Sequence, residues 1–215
     1  MDKHPANDSS VHAANRSQLY LSFAMAFSYP GEDFITSLQN REFIEQLKRL
    51  GSDLPYSISF EGLLKPEVYE SISKEEIQVF YSTMFQAGNQ AVSLRELAYS
   101  TLTEKALIEE IFRFYQHAGL TFSQGELREL PDNLPIELEF LHYLSFLEAE
   151  TAATNASSDN IAALRRLQCD FVNLHPGRWV HSFLNRLETQ PDSSVYQALT
   201  NLLILFIQKE KQFLM

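Results

Sequence analysis

Glu129-Leu130-Pro131-Asp132-Asn133-Leu134-Pro135-Ile136-Glu137-Leu138-Glu139-Phe140 decides how this chain reads. The two prolines end one segment and open the next. Leu134, Leu138, Leu141, Leu144 and Leu147 follow at helical spacing, so a long buried helix starts here. Proline in a first helical turn costs little, because that N–H has no intrahelical partner in any case. Phe140, Tyr143 and Phe146 lie off the leucine stripe, which makes the helix apolar on most sides and places it centrally. The loop before it holds Asp132 and Asn133 stiffly beside free backbone donors. That is a place to bind something, and its composition does not suit it to chemistry.

The same region carries much of the charge. From Glu126 to Glu150 there are seven acids and one base, a net of −6 against −11 for all 215 residues. Two readings stay open: a solvated acidic face, or an attraction for a basic ligand. Nucleic acid is excluded as a partner, since neutralising phosphates needs clustered Lys and Arg. With 45% hydrophobic and 12% aromatic residues the chain is globular, and 7 Gly with 8 Pro are too few for a fold built on tight turns.

Outward from the central helix, the pattern predicts an all-α single-domain bundle of about eight to ten helices. Residues 1–14 are polar and read as a disordered tail, with residues 15–215 forming the helical domain. Helix one is expected from about Asn15 to Ser28 and helix two from about Asp33 to Leu50, ending at Gly51. Pro55, Gly62 and Pro66 predict short turns. Ser73-Lys74-Glu75-Glu76 is a capping box opening a helix to about Phe85, stopped by Gly88-Asn89. Ser93-Leu94-Arg95-Glu96 offers a second box, for a helix that closes at Gly119-Leu120 in a Schellman ending. The central helix runs to about Thr154, and Ser158 or Asp159 caps the next. His175-Pro176-Gly177 breaks that helix and starts another, and Pro191-Asp192-Ser193 caps the last. No segment alternates at period two.

Leu19 to Phe27 is apolar, but Leu19, Phe23 and Phe27 share one helical face behind a long polar lead. It reads as a core helix and not an export signal. No apolar run is long enough for stable membrane insertion. The single cysteine, Cys169, allows no internal disulfide; it points to a reducing compartment and sits in a helical apolar pattern as a buried, inert thiol. Glu139-x-x-His142 is half of a di-iron bundle motif whose second half is absent; His142 is expected to be satisfied by a neighbouring carboxylate. Cys169 and His175 lack an orienting third group. No Gly-rich phosphate loop or Cys-x-x-Cys pair occurs. No catalytic set, metal or cofactor is therefore expected. The cluster His175-x-x-x-Trp179-x-x-x-Phe183 holds the only tryptophan and reads either as a core anchor or as the wall of a groove for an apolar peptide face.

Taken together, these motifs resemble the TorD/DmsD/NarJ family of molybdoenzyme maturation chaperones. The matching residues are Glu129-x-Pro131-Asp132-Asn133 running into Glu137-Leu138-Glu139-Phe140, then His175-x-x-x-Trp179-x-x-x-Phe183. Tyr115-x-x-x-Gly119-Leu120 and Arg16-x-x-x-Tyr20 ahead of Pro30 complete the pattern. Asn133 stands where the family often has His. The resemblance implies a TorD-like helical fold, sometimes a domain-swapped homodimer, working in the cytoplasm. Its partner would be the catalytic subunit of a molybdopterin-containing oxidoreductase. The chaperone would bind that subunit's N-terminal twin-arginine signal peptide and its apo form until the cofactor is inserted. An acidic loop (Glu129, Pro131, Asp132, Asn133, with Glu137) beside an aromatic groove (Tyr81, Phe85, Trp179, with His175) would complement the basic and apolar halves of such a peptide. A helical metal-dependent enzyme and a passive helical scaffold remain the alternatives.

Overall fold

The computed structural model describes residues 5–60, 73–87, 92–121, 130–154 and 157–215. Within them the chain is all helical: α1 (Pro5–Phe27), α2 (Glu32–Gln39), α3 (Glu42–Ser52), α4 (Lys74–Tyr81), α5 (Glu104–His117), α6 (Leu134–Ala153), α7 (Ser158–Leu174), α8 (Pro176–Leu187) and α9 (Ser194–Leu214). A π-helical turn (Ser82–Gln86) extends α4, and a 3-10 turn (Glu96–Tyr99) precedes α5. The only extended pairing among the described residues is a single antiparallel bridge, Arg95 to Asn133.

Helix α6 is the central element, as its pattern predicts, with Leu134, Leu138, Leu141 and Leu144 all fully buried. Its main neighbour is α1, which runs antiparallel to it: Ser10 Oγ donates to the Ala149 carbonyl and Ser17 Oγ to that of His142. Helix α9 crosses beneath, where Phe206 meets Tyr20 and Phe23 at 4.8 and 5.8 Å between ring centroids, and Tyr196 meets Phe27 at 6.3 Å.

Midway along α1 a charge is shielded from water. Arg16 is fully buried. Its Nε donates to both Glu210 carboxylate oxygens (2.8 and 3.0 Å), its Nη1 to Glu148 (2.8 Å) and its Nη2 to Gln168 and Glu210. Tyr20 and Tyr56 donate to Glu210, and Arg165 and Gln168 donate to Glu148. The Arg16-x-x-x-Tyr20 pair is thus two consecutive turns of α1 gripping one carboxylate of α9. Burial works against ionisation of Glu148, but Arg16, Gln168 and Arg165 overturn it and hold its carboxyl below the usual range.

Several boundaries differ from the expected ones, each for a tertiary or local reason. Helix α1 begins at Pro5, so residues 5–14, expected as a disordered tail, are helical. Ser10 bonds to α6, Ser9 accepts from Arg165, and Ala13 is buried, which outweighs the polar composition. Helix two is split: Arg41 adopts a left-handed backbone (φ 70°) and Asn40 Oδ1 accepts from the Glu42 N–H, so α3 starts afresh and passes through Gly51. The Ser73/Glu76 capping box is present with both of its hydrogen bonds. Gly119 ends α5 with φ +78°, and Leu120 N–H reaches the Tyr115 carbonyl while Gly119 N–H reaches that of Gln116, the expected Schellman pair. Ser157, one residue before the expected cap, opens α7. Cys169 is half-buried, not buried, with Asn173 at its sulfur. His142 is held by the Ser17 hydroxyl and carbonyl (2.8 and 3.0 Å), not by a carboxylate. The turns expected at Gly62 and Pro66 and the stop at Gly88-Asn89 lie outside the described residues.

Glu210→Ala would strand a buried arginine, because Glu148 alone cannot neutralise both Arg16 and Arg165. A loss of about 3–5 kcal/mol in urea unfolding is expected. Glu148 sets the acid limb: its lowered value stabilises the fold above the ordinary carboxylate range, and that stability is lost as pH falls through the lowered value. Glu148→Gln should therefore flatten the decline in stability on acidification. An acid limb identical to that of the unaltered chain would contradict this assignment.

Candidate functional site

The signature loop is paired, not free. Glu96 N–H donates to the Asp132 carbonyl (2.8 Å) and Leu134 N–H to the Leu94 carbonyl (2.9 Å), so residues 94–96 and 132–134 lie side by side. Asp132 is fully buried. Its carboxylate receives Arg95 Nε at 3.1 Å on each oxygen and the Leu97 N–H at 3.3 Å, and Arg95 Nη2 goes on to Glu104 at 2.6 Å. The N-cap of α6 is Asn133, whose side chain makes no capping bond. Asp132 therefore does not cap the helix; buried, it neutralises Arg95.

Behind this pairing sits a second buried cluster. His175 Nδ1 and Glu96 Oε2 are 2.8 Å apart, and Trp179 Nε1 donates to Glu137 Oε2 at 3.1 Å. All four residues are almost wholly buried. Burial, then the adjacent and hydrogen-bonded Glu96, push the Glu137 carboxyl well above the usual carboxylate range. The local sequence explains how α7 and α8 deliver His175 and Trp179. Pro176 has no N–H to continue the helix, and a Cβ on Gly177 would lie 2.4 Å from the Val172 carbonyl oxygen, so only glycine lets the chain turn this tightly. Trp179 stacks on Tyr99 at 5.1 Å, and the Arg186 guanidinium covers the other ring at 4.5 Å.

The second capping box expected at Ser93–Glu96 is absent because its glutamate is used elsewhere. Ser93 Oγ accepts from the Arg95 N–H instead, and Thr103 caps α5. Three of the seven acids from Glu126 to Glu150, namely Asp132, Glu137 and Glu148, are buried inside the bundle. The charge run is thus in good part an internal feature and not a solvated face.

On the outer side of the pairing is a cavity of about 180 Å³. Tyr81 and Phe85 form one wall, Asn133 and Pro135 another, with Tyr29 and Arg95 at the edge. Tyr29 is half exposed and packs edge-on to Tyr81 at 5.5 Å, and Tyr81 donates to the Phe27 carbonyl. Of the site residues expected from sequence, Tyr81, Phe85 and Asn133 come together here. Asp132, Glu137, His175 and Trp179 are buried behind them and support the wall instead of lining it; the Trp179 segment is the core anchor, and Pro131 is likewise buried. Glu129 lies outside the described residues. Tyr29 and Arg95 carry no site signal in the sequence, and Glu96 reads there as a capping residue. Among the described residues no group of three or more His, Cys, Asp or Glu side chains could hold a metal ion, and no helix is long and apolar enough to cross a membrane.

The family described as nitrate reductase delta subunit matches residues 45–185, well over half of the chain. The chain belongs to this family, the one its motifs resemble. Among its relatives are a selenate reductase assembly chaperone protein of Thauera selenatis (28% identical, over 79% of this chain and 75% of the relative) and a chlorate reductase assembly chaperone protein of Ideonella dechloratans (26%, over 79% and 75%). A perchlorate reductase assembly chaperone protein of Dechloromonas aromatica is 27% identical over 89% of this chain and 86% of its own. In this delta-subunit-family protein, then, Asp132, Glu137, His175 and Trp179 act first through the fold.

Glu137 gives a stability prediction. A carboxyl whose folded value is raised stabilises fully below its unfolded value, and that contribution is lost as pH rises through the folded one. Glu137→Gln is uncharged and still offers an oxygen to Trp179. Its stability relative to the unaltered chain, measured by urea unfolding, should improve steadily from mildly acidic to alkaline pH. A pH-independent difference would show that Glu137 does not titrate in this way.

Proposed function

We propose that this protein is an assembly chaperone for the catalytic subunit of a molybdopterin-containing oxidoreductase. It binds the subunit's N-terminal, twin-arginine-type peptide and its apo form, and releases them once the cofactor is in place, in the cytoplasm and before export or membrane attachment. The observation that carries this reading is the likeness, across most of the chain, to three proteins described as reductase assembly chaperones. The cavity adds a physical rationale, since it lies where the signature loop meets the half-exposed ring of Tyr29.

A peptide of this kind joins a basic region to an apolar, helix-forming stretch. Tyr29 offers exposed aromatic surface, whose burial contributes about 25 cal/mol per Å², and the buried Tyr81 and Phe85 back it. Glu104, bonded to Arg95 and more than half exposed, supplies acidic character at the edge. Direct pairing of Asp132 with the peptide, expected from sequence, is replaced by this relay: Asp132 keeps Arg95 from repelling a basic ligand. Chaperoning of this type needs no covalent chemistry, so a binding surface on a stiff scaffold is sufficient.

The client is expected to co-purify with the tagged chaperone and to exchange with a synthetic peptide of its N-terminal residues. Tyr29→Ala and Asn133→Ala should keep the helical circular dichroism spectrum and weaken peptide binding by about tenfold each, equivalent to about 1.4 kcal/mol. Binding unchanged in both variants would place the site elsewhere. Failure to retain any reductase subunit would argue for a scaffold role instead.

A further inference from the structure

We propose that Glu96 and Glu137 share one proton and so clasp together the two segments whose outer side is the groove, which makes Glu96 a positioning residue for the binding wall. The inference rests on the reading of that groove as the client site. Glu96 directly follows Arg95, and Glu137 lies one helical turn beyond Asn133; Arg95 and Asn133 both line the cavity. Outside, the segments are joined by the two backbone hydrogen bonds at Glu96 and Leu134. The Asp132 carboxylate binds Arg95 and the Leu97 N–H across the same pair, and further inside the Glu96 and Glu137 carboxyl groups face each other. Each is anchored from the opposite side, Glu96 by His175 at 2.8 Å and Glu137 by Trp179 at 3.1 Å.

Two carboxyl groups can hydrogen-bond to one another only if one of them is protonated. Glu137 Oε1 is buried and, among the described residues, receives no N–H or O–H. It is therefore the atom that carries the proton and donates it to Glu96. The direction in which Glu137 is displaced, upward from burial and from Glu96, agrees with this placement. The other groups facing the pair are Asp132 with Arg95 from the bridge, Tyr115 from α5, and His175 with Trp179 from the α7–α8 junction. Arg186 stands one ring further out, beyond Tyr99. Arg95 is already engaged by Asp132 and Glu104. Loss of the shared proton would add a second negative charge beside Glu96, whose partner His175, at 2.8 Å, can offset one charge and not both. The repulsion acts along the line that joins the two groove segments, so the groove wall loosens as pH rises.

Trp179 is the only tryptophan, and its indole N–H touches the clasp, so its fluorescence reports the proton directly. The full chain would be titrated from about pH 5 to about pH 9. A single transition in Trp179 emission is expected, absent in Glu137→Gln and displaced in Glu96→Gln. Binding of a synthetic peptide with two consecutive arginines before an apolar helical stretch should weaken by about tenfold across the same transition. Glu137→Gln should keep the acid-side affinity throughout. A flat emission profile in the unaltered chain, or the same transition in Glu137→Gln, would overturn the clasp. Should Glu137→Gln fail to fold, the displaced transition in Glu96→Gln decides the matter, an unmoved one counting against it. If the peptide binds at no pH, the functional reading fails while the emission profile still decides the clasp.

Discussion

Arg16 has no access to water, and the bundle is built around satisfying it. A buried guanidinium is tolerable only when carboxylates and amide oxygens are already in place. Those groups come from three helices: Glu148 on α6, Gln168 on α7 and Glu210 on α9. Apolar packing between α1, α6 and α9 could accommodate small sliding movements of one helix past another. The ionic cluster could not, because a shift of one turn would leave one of its charges without a partner. It therefore sets the register of the central layer from the middle of α1, about three turns from the groove end of that helix.

At the groove end the same logic applies with a different balance of charge. Arg95 and Asp132 neutralise each other, while behind them two buried carboxyl groups, Glu96 and Glu137, meet one imidazole, His175, and the Trp179 N–H. A cluster with one acid too many is a place where protonation matters. Its position directly behind the Asn133–Pro135 wall links an otherwise structural feature to the surface that a client peptide would meet. The residues that make the family's signature legible are thus buried one layer below the groove. This accounts for a motif rich in charge whose charges are not exposed.

Helix content, the central position of α6, the capping box at Ser73 and the Gly119 ending were all readable from the chain, as was the break at His175-Pro176-Gly177. These depend on neighbours within a turn or two: apolar periodicity, a side chain that reaches its own backbone, a glycine that tolerates positive φ. The same local reasoning went astray where a distant partner intervened. Glu96 reads as a capping residue until His175, 79 residues away, takes its carboxylate. Asp132 reads as a presented acid until Arg95 is placed against it. Residues 5–14 read as a tail until α6 and α7 supply contacts for Ser9 and Ser10.

What the sequence by itself determined is the class of fold, most helix limits and, through its spaced motifs, the family. Which acids are buried, which aromatics face solvent and where the groove lies were decided only in the tertiary structure. The physical reason is one of range. Helix propensity and capping are settled within about one turn of backbone, whereas the fate of a charge depends on which groups packing brings to it. Glu210 is 194 residues from Arg16, and Asp132 is 37 from Arg95. No local pattern announces such partners, because a glutamate on a helix looks the same in sequence whether water or a buried arginine will meet it.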